Sequence, residues 1–194
     1  MLKIAGLTPF TTIDYPDHLA AVLFCRGCSW RCGYCHNRSL LEEEGAGDLC
    51  WEKVLTFLDS RRCLLDAVVF SGGEPTLQPY LKQAVQSVRE RGFLVGLHTA
   101  GAFPERLKEL LPFLDWVGMD LKAPFHEYER ITGVFGSGEA ARQSALLIRE
   151  SGVAHQFRTT LAPFLLTEGR IESMRRMVEV EWGSAFREQQ ISHL

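Results

Sequence analysis

Four cysteines fall within eleven residues of this 194-residue chain, at Cys25, Cys28, Cys32 and Cys35, while Cys50 and Cys63 stand apart. The amino-terminal segment MLKIAGLTPF carries no secretory pattern, and clustered thiols in such a chain are ligands or catalysts more often than disulfide partners. Four thiolates satisfy tetrahedral zinc. Zinc ribbons, however, separate their two cysteine pairs by ~15–20 residues, whereas only Ser29, Trp30 and Arg31 stand between Cys28 and Cys32. The run also misses the bacterial ferredoxin spacing. It does contain C-x3-C-x2-C at Cys28, Cys32 and Cys35, with Tyr34 just before the last thiol. Cys50 and Cys63 read as ordinary small hydrophobes.

The elements that position this cluster are legible as apolar runs. Strands are expected at Leu19–Phe24, Asp66–Phe70, Phe93–Leu97, Trp116–Leu121 and Ala154–Thr160, with a sixth in the tail around Ala185–Ile191. Helical spacing lies between them. It is clearest over Pro79–Arg91, where Leu81, Ala84, Val85 and Val88 form a stripe and Gly92 suits a left-handed stop. Ser137–Glu150 and Thr167–Val180 read similarly, with Ser137 and Thr167 as N-caps and Gly152 as a C-terminal stop. This alternation argues for parallel βα units in one domain, residues 1–194, with the cluster loop at 25–37. Periodicity alone leaves a doubly wound open sheet and an incomplete barrel both standing. Five strand ends run into polar or glycine-rich segments: the cysteines, Ser71-Gly72-Gly73-Glu74-Pro75, His98-Thr99-Ala100-Gly101, Asp120-Leu121-Lys122 and Arg158-Thr159-Thr160. Ligands of parallel α/β folds sit at such carboxyl ends, so one shared site is expected.

Composition narrows the class. Hydrophobic residues make up 46% and charged residues 23%, and 21 Lys+Arg against 24 Asp+Glu leave a net charge of −3, which argues against a nucleic-acid partner. No apolar run approaches the ~20 residues of a membrane span. A cytoplasmic enzyme or binding domain is expected.

The C-x3-C-x2-C loop after the first strand resembles that of the radical S-adenosylmethionine superfamily. The resemblance implies a [4Fe-4S] cluster on Cys28, Cys32 and Cys35, with S-adenosylmethionine on the iron that no cysteine holds. Cys25 is then an end-of-strand residue rather than a fourth ligand. It further implies that Gly72, Gly73 and Glu74 receive the methionyl amino group, with Ser71 before them and Tyr34 in the loop. Thr99 and Gly101 match an Asp-Thr-Asn-Gly segment of relatives in which His98 and Ala100 replace the acid and the amide. Asp120-Leu121-Lys122 matches the Asp-x-Lys of glycyl-radical activating enzymes, placing Lys122 near the cosubstrate carboxylate, and Arg158 is a candidate for carboxylate or ribose contact. Read without the family, Asp120 and Lys122 are a strand pair facing one way, and Arg158 is a solvated strand-end arginine.

A narrower similarity runs from near residue 1 to about residue 167. Leu7–Pro16, Tyr34–Asn37, Phe70–Pro79, Gly118–Pro124 and Phe157–Thr160 resemble the activating proteins of anaerobic ribonucleoside-triphosphate reductase. The fold this implies is a partial (βα)6 TIM-like barrel. The implied activity is reductive cleavage of S-adenosylmethionine to a 5′-deoxyadenosyl radical, which generates a glycyl radical on anaerobic ribonucleoside-triphosphate reductase or a similar partner. An electron donor such as flavodoxin or ferredoxin is implied as well. Asp14, within Ile13-Asp14-Tyr15-Pro16, lies where activases meet the partner's glycine loop; relatives follow that proline with glycine, here Asp17. Two alternatives remain. One is a radical enzyme acting on a small molecule, as 7-carboxy-7-deazaguanine synthase does; the other is a non-catalytic iron–sulfur or zinc module.

Overall fold

Short apolar runs separated by amphipathic segments give strands joined by helices, because a strand's side chains alternate faces and each helix offers one stripe to cover a face. The computed structural model describes residues 2–45, 48–162 and 166–190. Its seven strands are β1 (Ile4–Thr11), β2 (Ala20–Cys25), β3 (Ala67–Gly72), β4 (Leu94–Thr99), β5 (Trp116–Asp120), β6 (Ala154–Leu161) and β7 (Phe186–Gln190). They form one sheet in chain order, with β1 antiparallel to β2 and every later neighbour parallel. Among the described residues β1 does not pair with β7, so the sheet stays open. This is the incomplete barrel, with six parallel strands where a closed one has eight.

The helices are α1 (Trp51–Asp59), α2 (Leu81–Arg89), α3 (Pro104–Leu110), α4 (Tyr128–Thr132), α5 (Ser137–Ser151) and α6 (Glu168–Arg175), the last running into a wide helical turn, Arg176–Glu181. The α2 stripe of Leu81, Ala84, Val85 and Val88 is buried as expected, and Gly92 (φ +86°) and Gly152 (φ +76°) take the left-handed stops. Ser137 does not cap α5. Its hydroxyl is buried against Thr132 Oγ1 at 2.7 Å, and the left-handed Gly136 turns the chain into the helix instead. Thr167 holds the N-cap position of α6 without a side-chain hydrogen bond. The sequence reading missed β1, whose alternation is broken by Gly6 and Pro9. Cys50 and Cys63 are exposed rather than packed as small hydrophobes. Among the described residues no helix is long and apolar enough to cross a membrane.

The two sheet faces do different work. Leu23, Val68, Phe70, Val95, Leu97, Val117 and Met119 join the helices in the main core. The opposite, inner face carries Ala20, Val22, Ala67, Val69 and Trp116, and the loop between β1 and β2 folds onto it. That loop brings Tyr15 to 5.5 Å from Trp116, ring centre to ring centre. Gly96 and Gly118 make the room: a Cβ on Gly118 would lie 2.6 Å from the Trp116 ring and 3.1 Å from Arg158 Cζ. Gly118→Ala is therefore expected to cost about 1–3 kcal/mol, the usual range for overpacking. Urea denaturation measures it, and an unchanged midpoint would show that the inner face has slack.

Candidate active site

The site begins where β2 stops. Beyond Cys25 the chain leaves the sheet and is held by backbone bonds from several sides. Gly27 N–H donates to Leu40 at 2.8 Å, Arg31 N–H to Thr132 at 2.8 Å, Gly33 N–H to Ile131 at 3.2 Å, and Glu74 N–H donates back to the Gly27 carbonyl at 2.8 Å. The Gln78 amide donates to the Arg26 carbonyl at 2.6 Å, and the Arg26 side chain binds Asp48 and the Ser39 carbonyl. Trp30 packs edge-on to Tyr128. Loop 26–37 is thus anchored to α4 and to the β3 loop, with Cys28, Cys32 and Cys35 partly exposed.

These three thiols line a cavity of about 400 Å³, within the ordinary ~300–1,000 Å³ of small-molecule sites. Asp14, Tyr34, Ser71, Gly72, Gly73, Thr99, Asp120, Lys122 and Arg158 line the same cavity, so nearly every residue singled out from the sequence faces one space. Two do not. Cys25 is fully buried in the helix-facing core, and burial pushes its thiol up to about 12. The Glu74 carboxylate turns inward, accepting from Thr76 N–H (3.1 Å), Thr99 Oγ1 (2.7 Å) and Ala100 N–H (2.8 Å). Burial raises the Glu74 pKa despite these donors, and its bonds fasten the β3 loop to the β4 loop.

Backbone geometry explains the glycines. Gly72 has φ +112°, and a Cβ there would stand 2.5 Å from the Cys25 backbone nitrogen, so the ends of β2 and β3 meet only because no side chain intervenes. Asp17 lies at φ +61°, the left-handed region that suits glycine and that Asp tolerates better than most residues, so the turn needs no glycine here.

One carboxylate organises the charged wall. Asp120 accepts from Lys122 Nζ at 3.1 Å and from Arg158 Nε and Nη2 at 2.9 and 2.8 Å. Burial alone pushes its pKa up, but Arg158 and Lys122 override this and hold it well below the usual carboxylate range. Burial opposes the Lys122 ammonium, yet Asp120 keeps it charged. Arg158 is therefore a buried, paired residue and not a solvated one. Burial raises Cys28 to about 11 and also raises Cys32, with Lys122 pulling both back.

The donor set fits an iron–sulfur cluster held by three cysteines better than closed tetrahedral zinc: three thiols reach the cavity and the fourth is in the core. Among the described residues no three His, Cys, Asp or Glu converge on one point as ligands of a single ion do; a cluster spreads its thiolates over several irons. Tyr34 adds a buried hydroxyl without a partner beside this space. Sequence reasoning treated His98 as a replacement only and passed over Gln189 and Gln190, which close one side of the cavity. His98 was findable as a polar residue at a strand end.

A family model described as the radical SAM superfamily matches residues 22–178. The chain belongs to the radical SAM superfamily. It is 34% identical over 186 residues to a Methanocaldococcus jannaschii protein named as a glycyl-radical enzyme activating enzyme, across 91% of this chain and 75% of that one. It is 30% identical over 187 residues to the pyruvate formate-lyase-activating enzyme of Clostridium pasteurianum, across 93% and 76%. Among solved structures, Streptococcus suis SuiB bound to S-adenosylmethionine superposes with a TM-score of 0.69 at 15% identity. That match covers 87% of this chain and 39% of the longer SuiB chain, and it speaks for the fold.

A pH dependence follows from His98, which is buried on the cavity floor. Burial, reinforced by Arg158, lowers its pKa to about 3. The unfolded chain takes up this proton near pH ~6.5 while the folded chain refuses it, so stability falls as pH drops below that value, by about 1.4 kcal/mol per unit. Urea denaturation at pH 7 and pH 5 should show the wild type losing about 2 kcal/mol more than His98→Gln. Equal losses would mean that folded His98 takes up its second proton as readily as the unfolded chain does.

Proposed function

We propose that this radical SAM protein activates a glycyl-radical enzyme, with anaerobic ribonucleoside-triphosphate reductase or a similar enzyme as partner. Cys28, Cys32 and Cys35 hold a [4Fe-4S] cluster in this reading, S-adenosylmethionine occupies the cavity, and a reductant such as flavodoxin or ferredoxin supplies the electron. The observation that carries the reading is the convergence of three partly exposed thiols, a glycine ledge and two paired cations on one cavity. When bound, the cluster and S-adenosylmethionine supply one-electron cleavage of the sulfonium to methionine and a 5′-deoxyadenosyl radical able to take a hydrogen from a glycine α-carbon.

The chain's own residues prepare that space. Lys122, Arg158 and Asp120 together carry one net positive charge at the wall, which suits a ligand carboxylate without leaving a bare cation when the site is empty. Gly72 and Gly73 expose backbone where a ligand amino group needs acceptors at close range. Ser71 and the Tyr34 hydroxyl add neutral polar contacts, while the Thr99 hydroxyl is already taken by Glu74 and Gly101 N–H. Asp14 lines the cavity from the β1–β2 loop, and the neighbouring Ile13 is exposed, a surface that a protein substrate could meet. The relatives carrying activase names match over most of this chain, which supports a protein substrate over a small molecule.

Anaerobic reconstitution should give about four iron and four sulfide per chain. Serine at Cys28, Cys32 or Cys35 should lose the iron–sulfur absorption, and Cys25→Ser should keep it. Bleaching by Cys25→Ser alone would overturn the ligand assignment, and stoichiometric zinc without capacity for iron would favour the binding-module alternative.

The partner is tested by spin. Reduced protein, S-adenosylmethionine and the reductase should give a glycine-centred doublet in electron paramagnetic resonance, absent when the partner's radical glycine is changed to alanine. A small heterocycle that stimulated cleavage while candidate partners stayed diamagnetic would move the assignment to a small-molecule enzyme.

A further inference from the structure

His98 sits where the β1–β2 loop, the strand ends and the charged wall meet. Its Nε2 lies 2.9 Å from the Asp14 carbonyl oxygen and its Nδ1 lies 3.3 Å from Ser71 Oγ. Arg158 Nη1 is 3.2 Å from the same Nε2, and the Trp116 ring packs edge-on at 5.5 Å. Neither Asp14 nor Ser71 lies near His98 in sequence, so the imidazole joins three separate segments of chain.

The partners decide the tautomer. A neutral imidazole has one N–H and one lone pair. Asp14 offers a carbonyl, which can only accept, so the proton belongs on Nε2; the Ser71 hydroxyl then donates to Nδ1. Arg158 Nη1–H faces the same Nε2 at 3.2 Å and can only donate, so it competes with this tautomer. The shorter contact to the Asp14 carbonyl, 2.9 Å, decides for Nε2–H, while Asp120 holds Arg158 through its Nε–H and Nη2–H. We propose that His98 is a positioning residue, its Nε2–H latching the β1–β2 loop onto the inner face of the sheet at the floor of the cavity. The inference rests on the radical SAM reading only for what the loop is positioned against; the latch itself is a property of this chain.

The rest of the loop agrees with a latch at this point. Below it, Tyr15 is buried against Trp116, and Thr11 Oγ1 donates to the Asp14 carboxylate at 2.7 Å. Above it, Ile13 is 82% exposed and unsupported by the core. The His98 contact thus ties the loop to β4 between the buried Tyr15 and the exposed Ile13 side chain, whose own N–H stays local on Thr11 Oγ1 at 3.3 Å. The latch also has a release state that strands neither nitrogen. With the proton on Nδ1, the ring donates to Ser71 Oγ and Nε2 accepts from Arg158.

Two measurements on the full chain, purified anaerobically, test this. In protein labelled with ¹⁵N-histidine, the His98 resonances, assigned by their loss in His98→Gln, should report the Nε2–H tautomer; the Nδ1–H tautomer would overturn the proposal. Amide hydrogen exchange gives the second. His98→Phe keeps a ring but has no donor, and exchange across residues 12–18 should rise about five- to tenfold, the equivalent of one hydrogen bond. In His98→Gln, whose amide can still donate to the Asp14 carbonyl, exchange should stay within about twofold of wild type, and the α2 amides should change in neither variant. Equal effects of the two substitutions would reduce His98 to packing and overturn the latch. A failure of S-adenosylmethionine to bind the wild type would strike the functional reading and leave both measurements valid.

Discussion

A strand must offer its side chains alternately to two faces, and a parallel sheet covered by helices on one face can keep chemistry only on the other or at its ends. Everything functional in this molecule follows from that constraint. Along β2 to β5 one alternate set of residues, from Leu23 through Val68 and Phe70 to Met119, is committed to the helices. The alternate, inward-facing ones include the small Ala20, Ala67, Gly96 and Gly118, and the inner face turns polar at the carboxyl ends of β3 to β6 as Ser71, His98, Asp120 and Arg158. Cys25 shows how strict the division is. It lies next to the cluster loop in sequence, but its register places it among the helix-facing residues, and a one-residue slip would bring it inside.

Two carboxylates, one fully buried and one partly exposed, solve opposite problems at these strand ends. Glu74 meets only neutral donors, so burial dominates and its pKa rises; its work is to hold two loops in register. Asp120, partly exposed to the cavity, meets two cations, which outweigh the desolvation of its site, and its work is to keep Lys122 and Arg158 side by side and charged. Removing Asp120 would leave two like charges facing one cavity without compensation, the costly way to break a buried pair. The carboxylate is thus part of the cationic wall, a role that Asp-x-Lys spacing alone does not convey.

The strands, the α2 stripe and the glycine stops were legible because each rests on local periodicity or a single residue's conformational freedom. The convergence of cysteines, glycines and strand-end polar residues was legible because topology sends parallel strand ends to one place. What was not legible depended on contacts between distant segments. Ser137 reads as a cap until Thr132 claims its hydroxyl. Glu74 reads as a ligand contact until Thr99 and Ala100 turn it inward. Pro9 and Gly6 hide β1, which pairing with β2 stabilises regardless. His98 reads as a substitution in a motif, because nothing in the sequence places Asp14 beside it.

The β1–β2 loop resolves a difficulty inherent in an unfinished barrel. A closed eight-stranded barrel fills its interior with layers of side chains contributed from strands on every side. Six parallel strands leave the inner face without strands opposite, and that face, with Val22, Val69 and Trp116, would stand in water. The loop supplies the missing filling by placing Tyr15 over Gly96 and against Trp116, so the lower half of the interior is packed. It stops at Asp14, and above it the interior remains open as the cavity. The floor of the site is therefore the roof of a plug, and His98 is the residue that touches both. The segment that packs the inner face of the open sheet is therefore also one that lines the cavity, through Asp14, so the packing of the barrel and the shape of the ligand wall are set by the same loop.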